Sequence, residues 1–221
     1  MKKNKFLNTL SKLKPLLFIM LLLTLYIFTC AFSYVQAVSE ELCNSVFRLH
    51  VIANSDTEED QNLKYKVRDN LLTYMNSICK DCTSKKEVIN IIENNKENFK
   101  QIALDTIQKE GYNYDVTLKI GNFEFPTKKY GDISLPAGFY DALRVEIGEA
   151  KGQNWWCVMF PPLCFVDVSS GIVPEESKEI LESNLSDEEY NLISDTSNSE
   201  IKFKFKLVEL FANNGLLTAK N

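Results

Sequence analysis

Four groups of residues in this chain have types and spacings that could do chemistry. His50 is the single histidine, and with Cys157 or Cys164 it could form the imidazole–thiolate pair of a cysteine nucleophile. No local signature such as Gly-x-Ser-x-Gly accompanies it, and a lone histidine in mid-strand more often serves structure or faces solvent. Cys79-x-x-Cys82 has the spacing of a metal or redox motif. With one histidine and no second C-x-x-C, a tetrahedral zinc site would have to borrow Cys157 and Cys164 from far along the chain. A local disulfide, or two free thiols at a helix end, is the simpler expectation. Gly148-x-x-x-Gly152 lacks the Lys-Ser/Thr ending and following helix of a phosphate loop, and reads as a turn between strands. Ser55, Asp56, Glu58, Glu59 and Asp60 offer oxygen ligands to calcium, but helix capping accounts for them. The sequence therefore predicts no catalytic set, no cofactor and no metal site.

Aromatic residues give a stronger signal. Gly152 to Phe165 holds both tryptophans, two of the six cysteines and two of the six prolines. Adjacent strand residues point to opposite faces, so Trp155 and Trp156 cannot share one side of a strand. One ring is expected in the core, the other against something else. Pro161-Pro162 then ends any ladder, since neither residue has an N–H to donate. This corner is either core packing or a partner-binding knob.

The elements that must position these residues follow from charge and periodicity. Five of the 25 basic residues lie in residues 1–39, which contain no acid; the remainder has 20 basic against 30 acidic residues, a net charge of −10. A nucleic-acid partner is disfavoured, because phosphate binding needs a basic footprint. Lys2, Lys3, Lys5, Lys12 and Lys14 precede an uncharged run from Leu16 to Val35, and Val35-Gln36-Ala37 fits a small-x-small cleavage site. Residues 1–37 are thus a signal peptide or a retained N-terminal anchor, the run of residues 16–35 being long enough to span a bilayer and contact a membrane. Either way the lysine-rich end stays in the cytoplasm and residues 40–221 lie outside it.

Phe47, Leu49 and Val51 alternate with Arg48 and His50, which predicts a half-buried strand over 46–53. Ser55-x-x-Glu58, or Asp56-x-x-Glu59, opens a helix over about 57–79. Ser84-x-x-Glu87 opens two short helices or one kinked one, ending at Gly111. Residues 112–120 alternate cleanly, and Gly121-Asn122 predicts a hairpin turn with Phe123 and Phe125 on the return strand. Residues 126–138 read as a long ordered loop, 143–147 as a strand, and 154–160 as a short buried segment. Residues 168–200 read as an acidic, mobile segment with a helical signal at Ser186-x-x-Glu189, and 201–211 as a C-terminal strand rejoining the domain. The order predicts an α+β domain, its mostly antiparallel sheet packed against two or three early helices.

Several blocks resemble the stage II sporulation protein R family. They are Phe47-Arg48-Leu49-His50-Val51-Ile52-Ala53-Asn54-Ser55-Asp56, Lys66-Val67-Arg68-Asp69, Phe125-Pro126-Thr127-Lys128-Lys129-Tyr130-Gly131, Leu135-Pro136-Ala137-Gly138, and above all Asn154-Trp155-Trp156-Cys157-Val158 with Phe160-Pro161-Pro162-Leu163-Cys164. The resemblance covers about residues 45–167; Ala150 stands where it implies a glycine. It implies a protein made in the forespore and exported into the space between the septal membranes. There it would activate the membrane-embedded aspartic peptidase that processes pro-sigma-E, as a ligand and not an enzyme. The contact surface expected is the turn with Trp155, Trp156, Phe160, Pro161, Pro162 and Phe165, together with Lys128 and Tyr130 of the 126–138 loop. The alternative is an exported cysteine-dependent hydrolase of septal cell wall or peptide.

Overall fold

The computed structural model describes residues 2–80, 82–162, 173 and 175–194, with residues 2–13 and 176 as backbone only. Phe165 and the expected strand over 201–211 lie outside the described residues. The chain divides into two compact units, 1–38 and 39–221. The first is helical over its described length, as part of α1 (Lys2–Ser45). Within α1, Lys14–Ser45 is long and apolar enough to cross a membrane.

The second unit is α+β, as expected. Its sheet contains β1 (Phe47–Ile52), β2 (Val116–Phe125), β5 (Gly138–Ile147) and β6 (Asn154–Phe160) in the order β2-β5-β1-β6. Two of the three pairings are antiparallel; β1 and β5 run parallel. Helices α2 (Glu58–Ile78), α3 (Lys85–Asn94) and α4 (Lys96–Lys109) intervene between β1 and β2. The alternation along each strand gives the sheet two faces. One carries Leu118, Ile120, Leu143, Val145, Leu49, Val51, Trp155 and Cys157, and the helices pack on it. The other carries Lys119, Arg144, Arg48, His50 and Trp156.

Three expectations are corrected. The strand over 46–53 is not half-buried: every residue of β1 is buried, because it lies centrally between β5 and β6 and is covered on both faces. Gly121-Asn122 does not turn. It continues β2 opposite Ala142 and Asp141, with Asn122 Nδ2 donating to Asp141 Oδ1 at 3.0 Å, so a ten-residue ladder with β5 overrides local turn propensity. The 126–138 loop contains the real hairpin, β3 (Lys128–Tyr130) with β4 (Ile133–Leu135), turned at Gly131 and Asp132. Within the acidic segment, residues 175–194 contain two helices. These are α5 (Glu175–Asn184) and α6 (Asp187–Ile193), which bury Leu181, Leu185, Leu192 and Ile193. Lys178 pairs with Asp132, and Ser194 bridges to Ile133, which ties this segment to the hairpin.

The caps are nearly as expected. Ser84 accepts from Glu87 N, and Ser186 with Glu189 forms a reciprocal capping box. Thr57, rather than Ser55 or Asp56, caps α2, accepting from Asp60 N. Ser55 Oγ donates instead to Asp60 Oδ2. Cys79 and Cys82 are joined as a disulfide just past α2, so that pair is no zinc site.

Gly148-x-x-x-Gly152 is a clamp on the loop after β1. Asn54 Oδ1 accepts from Glu149 N at 2.9 Å, Gly152 N donates to Ala53 O at 3.0 Å, and Gln153 N donates to Asp56 Oδ1 at 2.6 Å. A Cβ on Gly152 would lie 2.1 Å from Ser55 O. Ala150, between the two glycines, has φ +52°, a left-handed conformation costly for a side-chain-bearing residue. The glycine that the family resemblance implies here thus has a backbone reason. Ala150→Gly should stabilise the fold by roughly 0.5–1 kcal/mol. Gly152→Ala should destabilise it by about 1–3 kcal/mol. Thermal melts of the two variants beside wild type check both signs.

Candidate partner-binding site

Tandem tryptophans on an edge strand must face opposite ways, and each is met by a cation. Trp155 lies on the helical face, edge-to-face with Tyr65 at 5.5 Å, and the Arg68 guanidinium sits 4.2 Å over its ring. Trp156 lies on the other face, stacked on His50 at 5.6 Å, with Lys128 Nζ 4.3 Å from its ring centre. Both rings are half-buried, so neither is the core ring that was expected. A cation over an aromatic face is attracted by the ring quadrupole, which orders both indoles.

Beneath Trp156 lies a charged core. Arg48 has no exposed surface. Its guanidinium lies 4.2 Å over Phe125 and 4.8 Å over Tyr140, and Nη2 donates to the Tyr130 hydroxyl at 2.7 Å. Tyr130 donates in turn to Trp156 O at 3.0 Å. The chain Arg48–Tyr130–Trp156 thus fastens the β3–β4 hairpin to β6 and holds Lys128 over the indole. Burial raises the Tyr130 hydroxyl pKa and Arg48 opposes it, so this group stays a neutral donor.

His50 is buried between Trp156 and Phe125, whose ring meets it edge-on at 5.8 Å. Its Nε2 lies 2.7 Å from Asn154 Oδ1; with that oxygen as acceptor, Nε2 carries the proton. Cys157 is opposite Leu49 in the ladder, on the face away from His50, and is disulfide-bonded. The sequence-level pairing of His50 with a Cys157 thiolate is therefore not formed.

The expected contact residues separate into two groups. Lys128, Trp155, Trp156 and Pro162 reach the surface. Tyr130, Phe160 and Pro161 are interior and support it. Arg48, Arg68 and Tyr65 were missed. Arg48 stands on the same side of the strand alternation as His50, the one signal that could have found it.

A family model, "Stage II sporulation protein R", matches residues 43–170, which include the whole four-stranded sheet and the Trp-Trp corner. The chain belongs to the stage II sporulation protein R family. One relative is the stage II sporulation protein R of Bacillus subtilis (strain 168), 40% identical over 136 residues. That match covers 62% of this chain and 61% of the relative, so the chain spans less than two thirds of the length of the curated relative it matches. No solved structure matches. In this stage II sporulation protein R family member the matched stretch ends past Pro162 and before α5 and α6.

Burial lowers the His50 pKa from its ordinary value, the Asn154 hydrogen bond opposing the shift. The folded state then binds a proton less readily than the unfolded chain. Stability is present above the unfolded value of about 6.5 and is lost as pH falls through the depressed folded value. The melting temperature should therefore drop between about pH 7.5 and pH 5.5, and His50→Phe should flatten that slope. Asp60 and Asp141, also lowered, titrate below this window, and Lys64, lowered to about 8 by burial, titrates above it. Calorimetry across the window checks the slope.

Proposed function

We propose that this chain is an exported intercompartmental sporulation signal. Made in the forespore and passed into the space between the septal membranes, it activates the membrane-embedded aspartic peptidase that processes pro-sigma-E in the mother cell. Family membership is the observation that carries this reading. Two features of the molecule support it. The N-terminal helix is long and apolar enough to act as an export signal or anchor. The Trp156–Lys128 corner offers rigid aromatic area already ordered by its own fold, so little side-chain entropy is lost on contact.

Mechanistically, a ligand shifts an equilibrium only by binding one state better than the other. The activator therefore has to prefer the peptidase's active arrangement, which we take to be an assembled dimer. The surface residues that do this are Trp156, Lys128 and Pro162, held up by Tyr130, Phe160 and Pro161. Cys157 is already disulfide-bonded and faces away from His50, which favours a binding role over the cysteine-hydrolase alternative.

The test is co-expression of the full chain with pro-sigma-E and the peptidase in a non-sporulating host. Processing should require the chain. Trp156→Ala should abolish processing in a chain that is still exported and folded. Phe160→Ala removes a buried ring, should cost about 3–5 kcal/mol, and should fail by unfolding. Processing that proceeds equally without the chain overturns the proposal.

A further inference from the structure

One row of side chains crosses all four strands on the face away from the helices. The ladder sets Lys119 opposite Arg144, Arg144 opposite His50, and His50 opposite Trp156. Lys128 closes the row by lying over the Trp156 ring. Strands are about 4.8 Å apart, so the row is roughly 15 Å long, the span of four or five residues of extended peptide. Cations stand at both ends, and flat rings occupy the middle. Phe123, one step along β2 from Gly121, flanks the row, with the Arg144 guanidinium 5.5 Å from its ring.

The charge on this face runs against the rest of the molecule. Glu146 is the only carboxylate that the four strands place on it, and it is shared between Lys119 at 2.8 Å and Arg144 at 2.9 Å. Against it stand Lys119, Arg144 and the hairpin's Lys128, while residues 40–221 as a whole carry net −10 from 20 basic and 30 acidic residues. Lys119 is half-exposed, and Arg144, Phe123, Trp156 and Lys128 are each partly exposed, so the row is accessible at its two ends, while His50 between them is buried. The Trp156 Nε1–H is buried and has no hydrogen-bond partner among the described residues, so the ring meets a partner by its carbon surface.

We propose that this row docks an extended, acidic segment of a partner protein, crossing the strands with carboxylates on Lys119–Arg144 at one end and Lys128 at the other. Apolar residues between them rest on Phe123 at the first end and on Trp156 at the second. A protein segment fits better than an anionic bilayer, because Trp156 is only partly exposed and is held by His50 and Lys128, so its ring does not project to insert. The Trp156 corner is shared with the activator surface, so the proposal rests in part on that reading; the test omits the peptidase, and either can fail alone.

The probe is a short fluorescein-labelled peptide of glutamate pairs separated by leucine, followed by anisotropy with the full chain in neutral detergent micelles. Binding should weaken as salt rises. Lys128→Ala alone, and Lys119→Glu with Arg144→Glu, should each weaken it by about tenfold. Lys86→Glu, an exposed lysine on α3 away from the row, should leave it unchanged. Lys128 is a surface residue, so its variant stays informative if the double variant misfolds. Equal binding of the lysine-for-glutamate peptide, or indifference to the row variants, overturns the proposal. So does a result in which those variants reduce association with phosphatidylglycerol vesicles but not with the peptide.

Discussion

Arg48 places a permanent positive charge at the centre of this domain, and the surrounding structure is arranged to tolerate it. Among the described residues no carboxylate pairs with it. Compensation comes from the faces of Phe125 and Tyr140, the Tyr130 hydroxyl and, at 3.5 Å, the Cys157 carbonyl. Those partners come from β2, β5, β3 and β6. A buried charge that loses a partner costs several kcal/mol, so these elements are obliged to assemble together. The hairpin is held against the sheet by this requirement as much as by its own three-residue ladder.

The fold class was legible because it depends on periodicity. Helical spacing at Leu63, Val67 and Leu71, alternation along β2, and the caps at Ser84 and Ser186 are local signals, and each produced its element. The misreadings all arise where a distant strand or helix decides. Gly121-Asn122 has turn chemistry but meets Ala142 and Asp141. Arg48 and His50 look solvent-facing in a strand read alone, yet a central position buries them. The acidic composition of 175–194 obscures two helices, whose surroundings take up four apolar side chains.

The site was half legible for the same reason. Two adjacent tryptophans on a strand must point apart, and they do. What meets each ring could not be read, because Arg68 and Lys128 come from elements far away in sequence. The division of the corner into surface residues and supporting ones is likewise a property of packing. Phe160 and Trp156 look alike in the sequence, four residues apart; one is buried and the other is partly exposed.

The two cation-capped indoles have a consequence for the order in which the surface can form. Slipping β6 by one residue against β1 would exchange the two rings between faces, leaving Lys128 over the wrong side chain and Tyr130 without its carbonyl. The surface is therefore absent from the extended chain and from any misregistered one. It comes into being only when the last strand of the sheet has found its place. Under the proposed function this is a form of timing: the molecule would be silent in transit and readable on arrival.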